Sequence, residues 1–329
     1  MFWRIEELVV FQRLKFLLTL LSCTRAYQKS ALLRKHGLSR RARLVSCQKN
    51  GRNPHFVFLT DQIETNDLFL VKISIGKQQH SIIEEFDAFR TMNALKPPQS
   101  GFRYPKIFDC DSDVQFLLSE YISGATIFEI LKQDGSPENR DLYLKKTLDW
   151  MRNFHAAPCK SEVTWSTDTS ILWIKENIEF ASIQDLKLRK FAQQLFDNLV
   201  LDAAGVLDVT MGAVLCHGDI HLGNLMWDGN ELYVIDFSDL HDSIPEKDLG
   251  HLAFTFSIQN ETGMLDICSQ IHAQFPKLDA ARLNFEAKSK AVQVLLVNFT
   301  KIKNWAELSN DSQITARKMA KILRIDHSF

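Results

Sequence analysis

The chain has 329 residues, of which 45% are apolar and 24% charged, and its formal net charge is −1. This ordinary globular composition excludes a disordered chain, a collagen-like chain and a coiled coil, and the length predicts two domains or two lobes. The six cysteines are scattered with no C-x-x-C pair. That spacing excludes a zinc framework and a small disulfide scaffold, and it favours reduced thiols in a cytoplasmic protein.

The N-terminal part of the chain is basic. Residues 1–60 contain 12 Lys and Arg against two acids, and helices are predicted at 4–21 and 24–36. The apolar run at 16–21 is far too short to span a bilayer. We interpret residues 1–37 as a basic helical extension docked on the following domain. A mitochondrial transit peptide and a contact between residues 1–36 and a membrane surface are the alternatives.

Residues 38–122 show the pattern of a small, strand-rich lobe. Strands are predicted at 41–48, 55–60, 68–75, 104–108 and 114–120, and a helix at about 78–94. The first two strands are separated by a turn cluster at 49–54, which contains Gly51. Three strands, a helix and two strands form a compact α+β unit.

One lysine in this lobe stands in an apolar strand. Lys72 lies within the run LFLVKISI, where an unpaired cation would be costly to bury. Glu85 follows 13 residues later on the predicted helix and could pair with it. We prefer Glu85 to the neighbouring Glu84, because Glu85 fits the apolar stripe of the helix better.

The pattern changes after Gly124, and residues 123–329 are predicted to form a larger helical lobe. Short strands and turns interrupt the helices at 214–238. The predicted fold class is therefore α+β, with a small strand-rich lobe followed by a helical one. The predicted helices lie at 140–155, 169–182, 185–204, 247–259, 263–274, 277–303 and 309–324.

The residues that carry chemistry are concentrated in the segment 217–239. Asp219 and Asn224 lie on a loop after an apolar strand, and Asp236 follows 12 residues after Asn224, behind a predicted hairpin. Phosphoryl transfer needs one carboxylate to orient the acceptor hydroxyl and two further oxygen ligands to hold Mg²⁺. The pattern predicts Asp219 as the catalytic residue, with Asn224 and Asp236 as metal ligands.

Four segments together resemble the aminoglycoside phosphotransferase and choline-kinase-like family, which shares the protein-kinase-like fold. CHGDIHLGNLMW resembles its catalytic loop and YVIDFSD its metal-binding segment, while LLSEYISGATI resembles its hinge and LDWMRNFHAAP the helix before its substrate region. The resemblance covers roughly residues 40–260. It implies ATP and Mg²⁺ as cofactors.

The resemblance also assigns roles outside the catalytic loop. It implies that Lys72 contacts the nucleotide phosphates with Glu85 as its partner, and that the 49–54 turn around Gly51 covers the phosphates. The backbone of Glu120, Tyr121 and Ile122 would meet the adenine edge.

Within the helical lobe, the resemblance implies that Asp248 braces the catalytic loop. His217 is then a structural member of that loop, and His221 orders it. Asp239 and Asp242 are either attractants for a cationic acceptor or solvated turn acids.

Two features distinguish the chain from a protein kinase. The 49–54 turn holds a single glycine, so it is not a glycine-rich loop of the protein-kinase type. Asp236 is followed by Phe237 and Ser238 rather than by Phe-Gly, and Asp248 comes too soon after it for a long activation segment. The segment after Asp236 favours a small-molecule kinase.

The predicted function is an ATP- and Mg²⁺-dependent phosphotransferase whose acceptor is a small-molecule hydroxyl of the aminoglycoside, amino alcohol or sugar type. The alternatives are a kinase that acts on a protein or a membrane glycolipid, and a nucleotide-binding pseudokinase that serves as an interaction module. The intact catalytic set argues against the pseudokinase. No nucleic-acid partner is expected, because the basic residues are not interleaved with aromatic ones.

Overall fold

The computed structural model divides the chain into two compact units, Met1–Pro97 with Tyr104–Ser123, and Pro98–Arg103 with Gly124–Phe329. None of the helices in the part of the chain that the structure describes is long and apolar enough to cross a membrane. The described residues are 23–25, 27–28, 31–48, 55–63, 65, 67–74, 80–94, 101–111, 116–156, 159, 161–258, 263–323 and 325.

The first unit is built on an antiparallel sheet of five strands in the order β1-β2-β3-β6-β5. Alternate residues of β2 and β3, such as Phe56, Phe58 and Val71, are buried on one face. The predicted strand at 104–108 is wrong in its position and is shifted towards the C-terminus, because Pro105 has no N–H to donate to a ladder. The elements are α1 (Ala31–Lys35), β1 (Leu38–Gln48), β2 (His55–Gln62), β3 (Leu68–Ser74), α2 (His80–Ala94), β5 (Ile107–Asp111) and β6 (Phe116–Glu120).

The described part of the basic N-terminal segment contributes to the core of this unit. Cys23, Tyr27 and Leu33 are buried in the same cluster as the aromatic side chains of the sheet. The Tyr27 hydroxyl donates to the carbonyl oxygen of Ser39 and lies 2.7 Å from Thr60 Oγ1. The predicted helix at 4–21 lies outside the described residues.

The second unit is mainly helical, with short strands that carry the loops between them. Its elements are β4 (Phe102–Arg103), β7 (Ala125–Thr126), α3 (Ile127–Gln133), α4 (Pro137–His155), β8 (Glu162–Trp165), α5 (Thr167–Asn177), α6 (Leu186–Ala203), β9 (Val209–Gly212), β10 (Val214–Cys216), β11 (Leu225–Trp227), β12 (Leu232–Val234), β13 (His241–Ser243), α7 (Pro245–Ile258), α8 (Met264–Gln274), α9 (Ala280–Phe299) and α10 (Asn310–Ile322).

Helices α7 and α9 approach each other closely within this unit. Nearly every residue of α7 is buried. A Cβ added at Gly250 would lie 2.6 Å from the Cβ of Glu286, so a larger residue would force the two helices apart. This close packing fixes α7 and α9 as one rigid pair.

Several elements of the second unit differ from the prediction. The predicted helix 169–182 ends at Asn177, and the predicted helix 277–303 begins only at Ala280, because the Asp279 side chain caps it by accepting from Arg282 N–H. The sequence also gives no sign that β4 pairs in parallel with β12. Strands of two to four residues and the seven-residue α3 are too short to show a periodicity.

Candidate active site

The loop that follows β10 is held by a buried carboxylate from α7. Asp248 is fully buried, and its two oxygens accept hydrogen bonds from the backbone N–H groups of His217 (2.7 Å) and Gly218 (3.0 Å). The His155 ring from α4 donates to the same carboxylate at 3.1 Å. Burial alone would raise the pKa of Asp248, but the hydrogen bonds outweigh it and the pKa is lowered. Asp248 is therefore an ionised brace for the loop backbone.

His217 is enclosed on all sides by this loop and its surroundings. Its ring lies 4.7 Å from the ring of Phe237, and its Nε2 donates to the carbonyl of Ile235 at 3.1 Å. Its Nδ1 accepts a long hydrogen bond, 3.4 Å, from the N–H of Asp219. Both ring nitrogens are thus engaged in holding backbone, which supports the expected structural role of His217.

Gly218 brings the loop directly against the segment after Asp236. Its φ is +82°, and a Cβ at this position would clash with the backbone carbonyl of Asp239. Only glycine satisfies both conditions without strain. The absence of a side chain at Gly218 thus lets the loop that carries Asp219 lie against the backbone of residues 236–239.

The Asp219 carboxylate is half-exposed and has a nitrogen near each oxygen. Lys290 Nζ lies 3.4 Å from Oδ1, and His221 Nε2 lies 3.7 Å from Oδ2. Nδ1 of His221 accepts from the N–H of Gly223 at 3.0 Å. Burial lowers the pKa of His221, while the charge of Asp219 opposes this shift in part. A neutral His221 with its proton on Nε2 fits this arrangement and the expected role of ordering the loop.

Asn224 and Asp236 are each fixed by the backbone around them. Asn224 is 7% exposed, and its side-chain amide donates to the carbonyl of Asp219 at 3.0 Å. The N–H of Ile235 donates to the carbonyl of Asn224 at 3.0 Å, which ties the end of the hairpin to the loop. An amide oxygen and a carboxylate fit a hard divalent cation that takes its other ligands from water and phosphate.

Asp236 has a left-handed backbone conformation. Its φ is +63°, and among the described residues it is the one non-glycine residue with a positive φ. The Ser238 hydroxyl donates to its Oδ1 at 2.9 Å. A conformation of this kind costs on the order of 1–3 kcal/mol and persists where the surroundings impose it, as at functional sites.

The first unit brings Lys72 and Glu85 together. Lys72 Nζ, on the central strand β3, lies 2.7 Å from Glu85 Oε2 on α2, and both side chains are largely buried. Glu84 is exposed, and the residue paired with Lys72 is Glu85, the one that the sequence favours. Their role towards a nucleotide stays a prediction.

The predicted adenine-binding backbone follows β6 in the same unit. Glu120 ends the strand, and its N–H donates to the carbonyl of Lys106 at 2.8 Å. The N–H groups of Tyr121 and Ile122 have no hydrogen-bond partner among the described residues. They are suited to an external acceptor. Gly51 and the rest of the 49–54 turn lie outside the described residues.

A family model described as "Phosphotransferase enzyme family" matches residues 48–282, which is most of the chain and includes the loop and hairpin described above. The chain belongs to this family. Membership confirms the predicted family resemblance and enzyme class, a phosphotransferase with an alcohol group as acceptor. No curated protein sequence matches the phosphotransferase significantly.

Solved structures show the same fold at low sequence identity. A thermostable mutant of aminoglycoside phosphotransferase APH(4)-Ia is 16% identical with a TM-score of 0.61, covering 89% of this chain and 97% of that one. The choline/ethanolamine kinase family protein from Mesorhizobium loti is 13% identical with a TM-score of 0.55, covering 92% of each chain. Amicoumacin kinase hAmiN, in complex with AMP-PNP, Ca²⁺ and Ami, is 15% identical with a TM-score of 0.53, covering 91% and 94%. These likenesses confirm the predicted fold class of the phosphotransferase.

One neighbour of Asp219 in the phosphotransferase escaped the sequence analysis. Lys290 lies on α9, 71 residues after Asp219. No local motif marks Lys290. Its spacing of four residues from Glu286 is common to any two residues on one face of a helix. Only the tertiary packing of α9 shows that the lysine reaches the loop.

The two turn acids that follow Asp236 differ in the phosphotransferase. Asp239 is exposed. Asp242, on β13, accepts hydrogen bonds from the Ser161 hydroxyl and from Cys159 Sγ (3.2 Å). These hydrogen bonds lower the pKa of Asp242, that from Ser161 most, and they occupy both of its oxygens. Asp242 is therefore committed to its own surroundings.

Proposed function

We propose that the protein is an ATP- and Mg²⁺-dependent kinase that transfers the γ-phosphate to a hydroxyl of a small molecule of the aminoglycoside, amino alcohol or sugar type. One observation carries the proposal. The backbone of the Asp219 loop is fastened by Asp248 and by the side chain of Asn224, and it runs directly against the strained segment at Asp236. Such pre-organisation is what phosphoryl transfer requires of a protein.

The chemistry divides among three side chains of this loop and hairpin. Asp219 orients the acceptor hydroxyl and takes its proton, since its carboxylate is partly exposed while its backbone is fixed. The oxygens of Asn224 and Asp236 would hold Mg²⁺. When bound, the metal supplies neutralisation of the charge on the transferring phosphoryl group.

In the first unit, Lys72 and the N–H groups after Glu120 are assigned to the nucleotide. The ion pair with Glu85 keeps the Lys72 ammonium charged and fixes its position, which suits contact with phosphate oxygens. The N–H of Ile122 would donate to the adenine edge. Related folds in complexes with ADP and with AMP-PNP and Ca²⁺ support a nucleotide and a divalent cation as ligands.

A small-molecule acceptor is favoured over a protein. The chain passes from Asp236 through one turn and the three residues of β13 to the start of α7 at Pro245, which leaves no long activation segment. Related folds are known in complexes with gentamicin and with spectinomycin. Both supports concern the class of acceptor and not its identity.

The test is nucleotide turnover by the full chain with Mg²⁺, against a panel of aminoglycosides, amino alcohols, sugars and nucleosides. Asp219→Asn should abolish acceptor-dependent ADP release while nucleotide binding persists. Asp239→Asn is the matched control, because it removes an exposed acid of the neighbouring segment. Full activity in Asp219→Asn, or the same loss in both variants, would refute the assignment of Asp219.

A further inference from the structure

A cationic side chain from another element approaches the Asp219 carboxylate. Lys290 Nζ lies 3.4 Å from Asp219 Oδ1, and the lysine side chain is 20% exposed. The Asp219 side chain is 39% exposed, so a molecule that reaches Asp219 also meets the ammonium. An ammonium held there attracts anions and repels cations.

A second nitrogen group lies on the neighbouring helix. His251, on α7, is 6% exposed, and its Nδ1 is buried with no hydrogen-bond partner among the described residues. Burial lowers the pKa of His251, and the charge of Lys290 lowers it further. His251 is therefore neutral and adds no charge near Lys290.

Three acids of this part of the chain already have partners of their own. Glu286, one turn before Lys290 on α9, accepts from the indole N–H of Trp165 at 2.6 Å. Burial raises the pKa of the Glu286 carboxyl group, which favours its neutral form. Glu246 accepts from the N–H of Asp279 at 3.0 Å and contacts Arg282. Asp242 is occupied as described above. These three acids are thus engaged by other groups, and Asp239 is the exposed acid of the neighbouring segment.

We propose that Lys290 selects the acceptor by charge, binding a carboxylate or phosphate group of a molecule whose hydroxyl is presented to Asp219. This inference rests on the proposed transfer to a small-molecule hydroxyl and replaces the proposed acceptor types by a class defined by its negative charge. Among hydroxyl acceptors it favours hydroxy acids, sugar acids and sugar phosphates over amino alcohols and aminoglycosides. Lys290 is then a specificity-determining residue, which contacts the acceptor away from the reacting hydroxyl.

A purely structural role makes a different prediction. If Lys290 only positions Asp219, its replacement lowers turnover by the same factor for every acceptor. If it binds an anionic group, the loss depends on the charge of the acceptor. The two roles are separated by acceptors that share a skeleton and differ in charge.

The experiment compares glycerate, glycerol 3-phosphate, glycerol and 3-aminopropane-1,2-diol, and likewise gluconate, glucose 6-phosphate, glucose and glucosamine. In the wild type, kcat/KM should be highest for an anionic member of a set. Lys290→Gln should lower kcat/KM about 10- to 100-fold for that member and much less for the neutral one, the usual loss for a charged hydrogen bond. Lys290→Arg should keep the preference, and Lys290→Glu should reverse it towards the cation.

Lys288 provides the matched control. It lies on the same helix and pairs with Asp202 at 2.7 Å, so Lys288→Gln removes a similarly buried lysine charge without touching Asp219. It should leave the charge preference unchanged. Comparison of carboxylate with phosphate members identifies which anionic group is bound.

Binding is measured in parallel, as the shift in Tm that each compound causes in the presence of AMP-PNP and Mg²⁺. An anion-specific stabilisation that Lys290→Gln abolishes supports the inference even where no compound is turned over, and then only the proposed function fails. Preference of the wild type for cationic members, an equal loss for all members, or no stabilisation by any anionic member overturns the inference. Turnover that depends on Asp219 would leave the proposed function intact in those cases.

Discussion

The surroundings of Lys72 and of Asp219 show two ways of placing a charged side chain. Lys72 is paired with Glu85, which is 13 residues away on the next helix. The Asp219 loop is held by Asp248, about 30 residues away, and is approached by Lys290, 71 residues away. The first arrangement is local and can be inferred from a strand followed by a helix. The second exists only when α7 and α9 are packed together.

The largest effect on stability is expected for Asp248, the residue of α7 that holds the Asp219 loop. Asp248→Ala removes a fully buried carboxylate that accepts from two backbone N–H groups and from His155. We expect a loss of about 3–5 kcal/mol in the free energy of unfolding, because buried donors are left unpaired. Turnover should fall about 100-fold as the loop shifts. Denaturant unfolding and steady-state kinetics measure the two effects, and an unchanged kcat would show that the loop needs no brace.

The same residue gives a prediction about pH. The pKa of Asp248 is lowered on folding from an ordinary aspartate value of about 3.9. Its contribution to stability is therefore complete above that value and is lost as the pH falls towards the folded-state pKa. The difference in unfolding free energy between the wild type and Asp248→Ala should be larger at pH 7 than at pH 3. A difference that grows on acidification would contradict the ionised brace.

The local pair is tested by removing its anionic partner. Glu85→Gln removes the carboxylate charge that faces the Lys72 ammonium, which is 17% exposed. We expect an affinity for nucleotide about 10-fold lower and a loss of about 1–3 kcal/mol in stability. Glu84→Gln is the matched control, since Glu84 is exposed on the same helix and should tolerate the change. Equal effects of the two variants would show that the pair has no role in nucleotide binding.

A smaller effect of opposite sign is expected at Asp236. Its left-handed backbone is unfavourable for any residue with a Cβ, so Asp236→Gly should raise the free energy of unfolding by about 0.5–1 kcal/mol. The same change removes a proposed metal ligand and should abolish turnover. Thermal unfolding without Mg²⁺ measures the effect of the backbone conformation on stability separately from the loss of the proposed metal ligand. A destabilised and fully active variant would contradict both parts.

The last prediction concerns the N-terminal segment, where an effect on stability alone is expected. Tyr27→Phe removes a hydroxyl that donates to Ser39 and leaves the ring in the core. We expect a loss of about 1 kcal/mol in stability with no change in kcat, since the hydroxyl only fastens this segment to the sheet. Thermal unfolding combined with kinetics separates these outcomes. An altered kcat would indicate that the segment influences the site.

The sequence predicts what depends on nearby residues. The strands of the first unit, the hairpin after Asn224 and the pairing of Lys72 with Glu85 follow from alternation, turn residues and the cost of burying a charge. The sequence does not predict β4, whose two residues show no periodicity, or the approach of Lys290 to Asp219. The strain at Asp236 is equally hidden, because the conformation is imposed by the loop and not by the residue itself.

Helix α7 braces the loop and helix α9 presents a lysine to it, while Gly250 lets the two helices meet. The residue that positions the loop, Asp248, is therefore distinct from Lys290, the residue proposed to meet the acceptor. A single substitution on α9 can change the charge offered to a substrate without disturbing the brace. If relatives keep the Asp219 loop and differ at the position of Lys290, the proposal predicts that they also differ in acceptor preference.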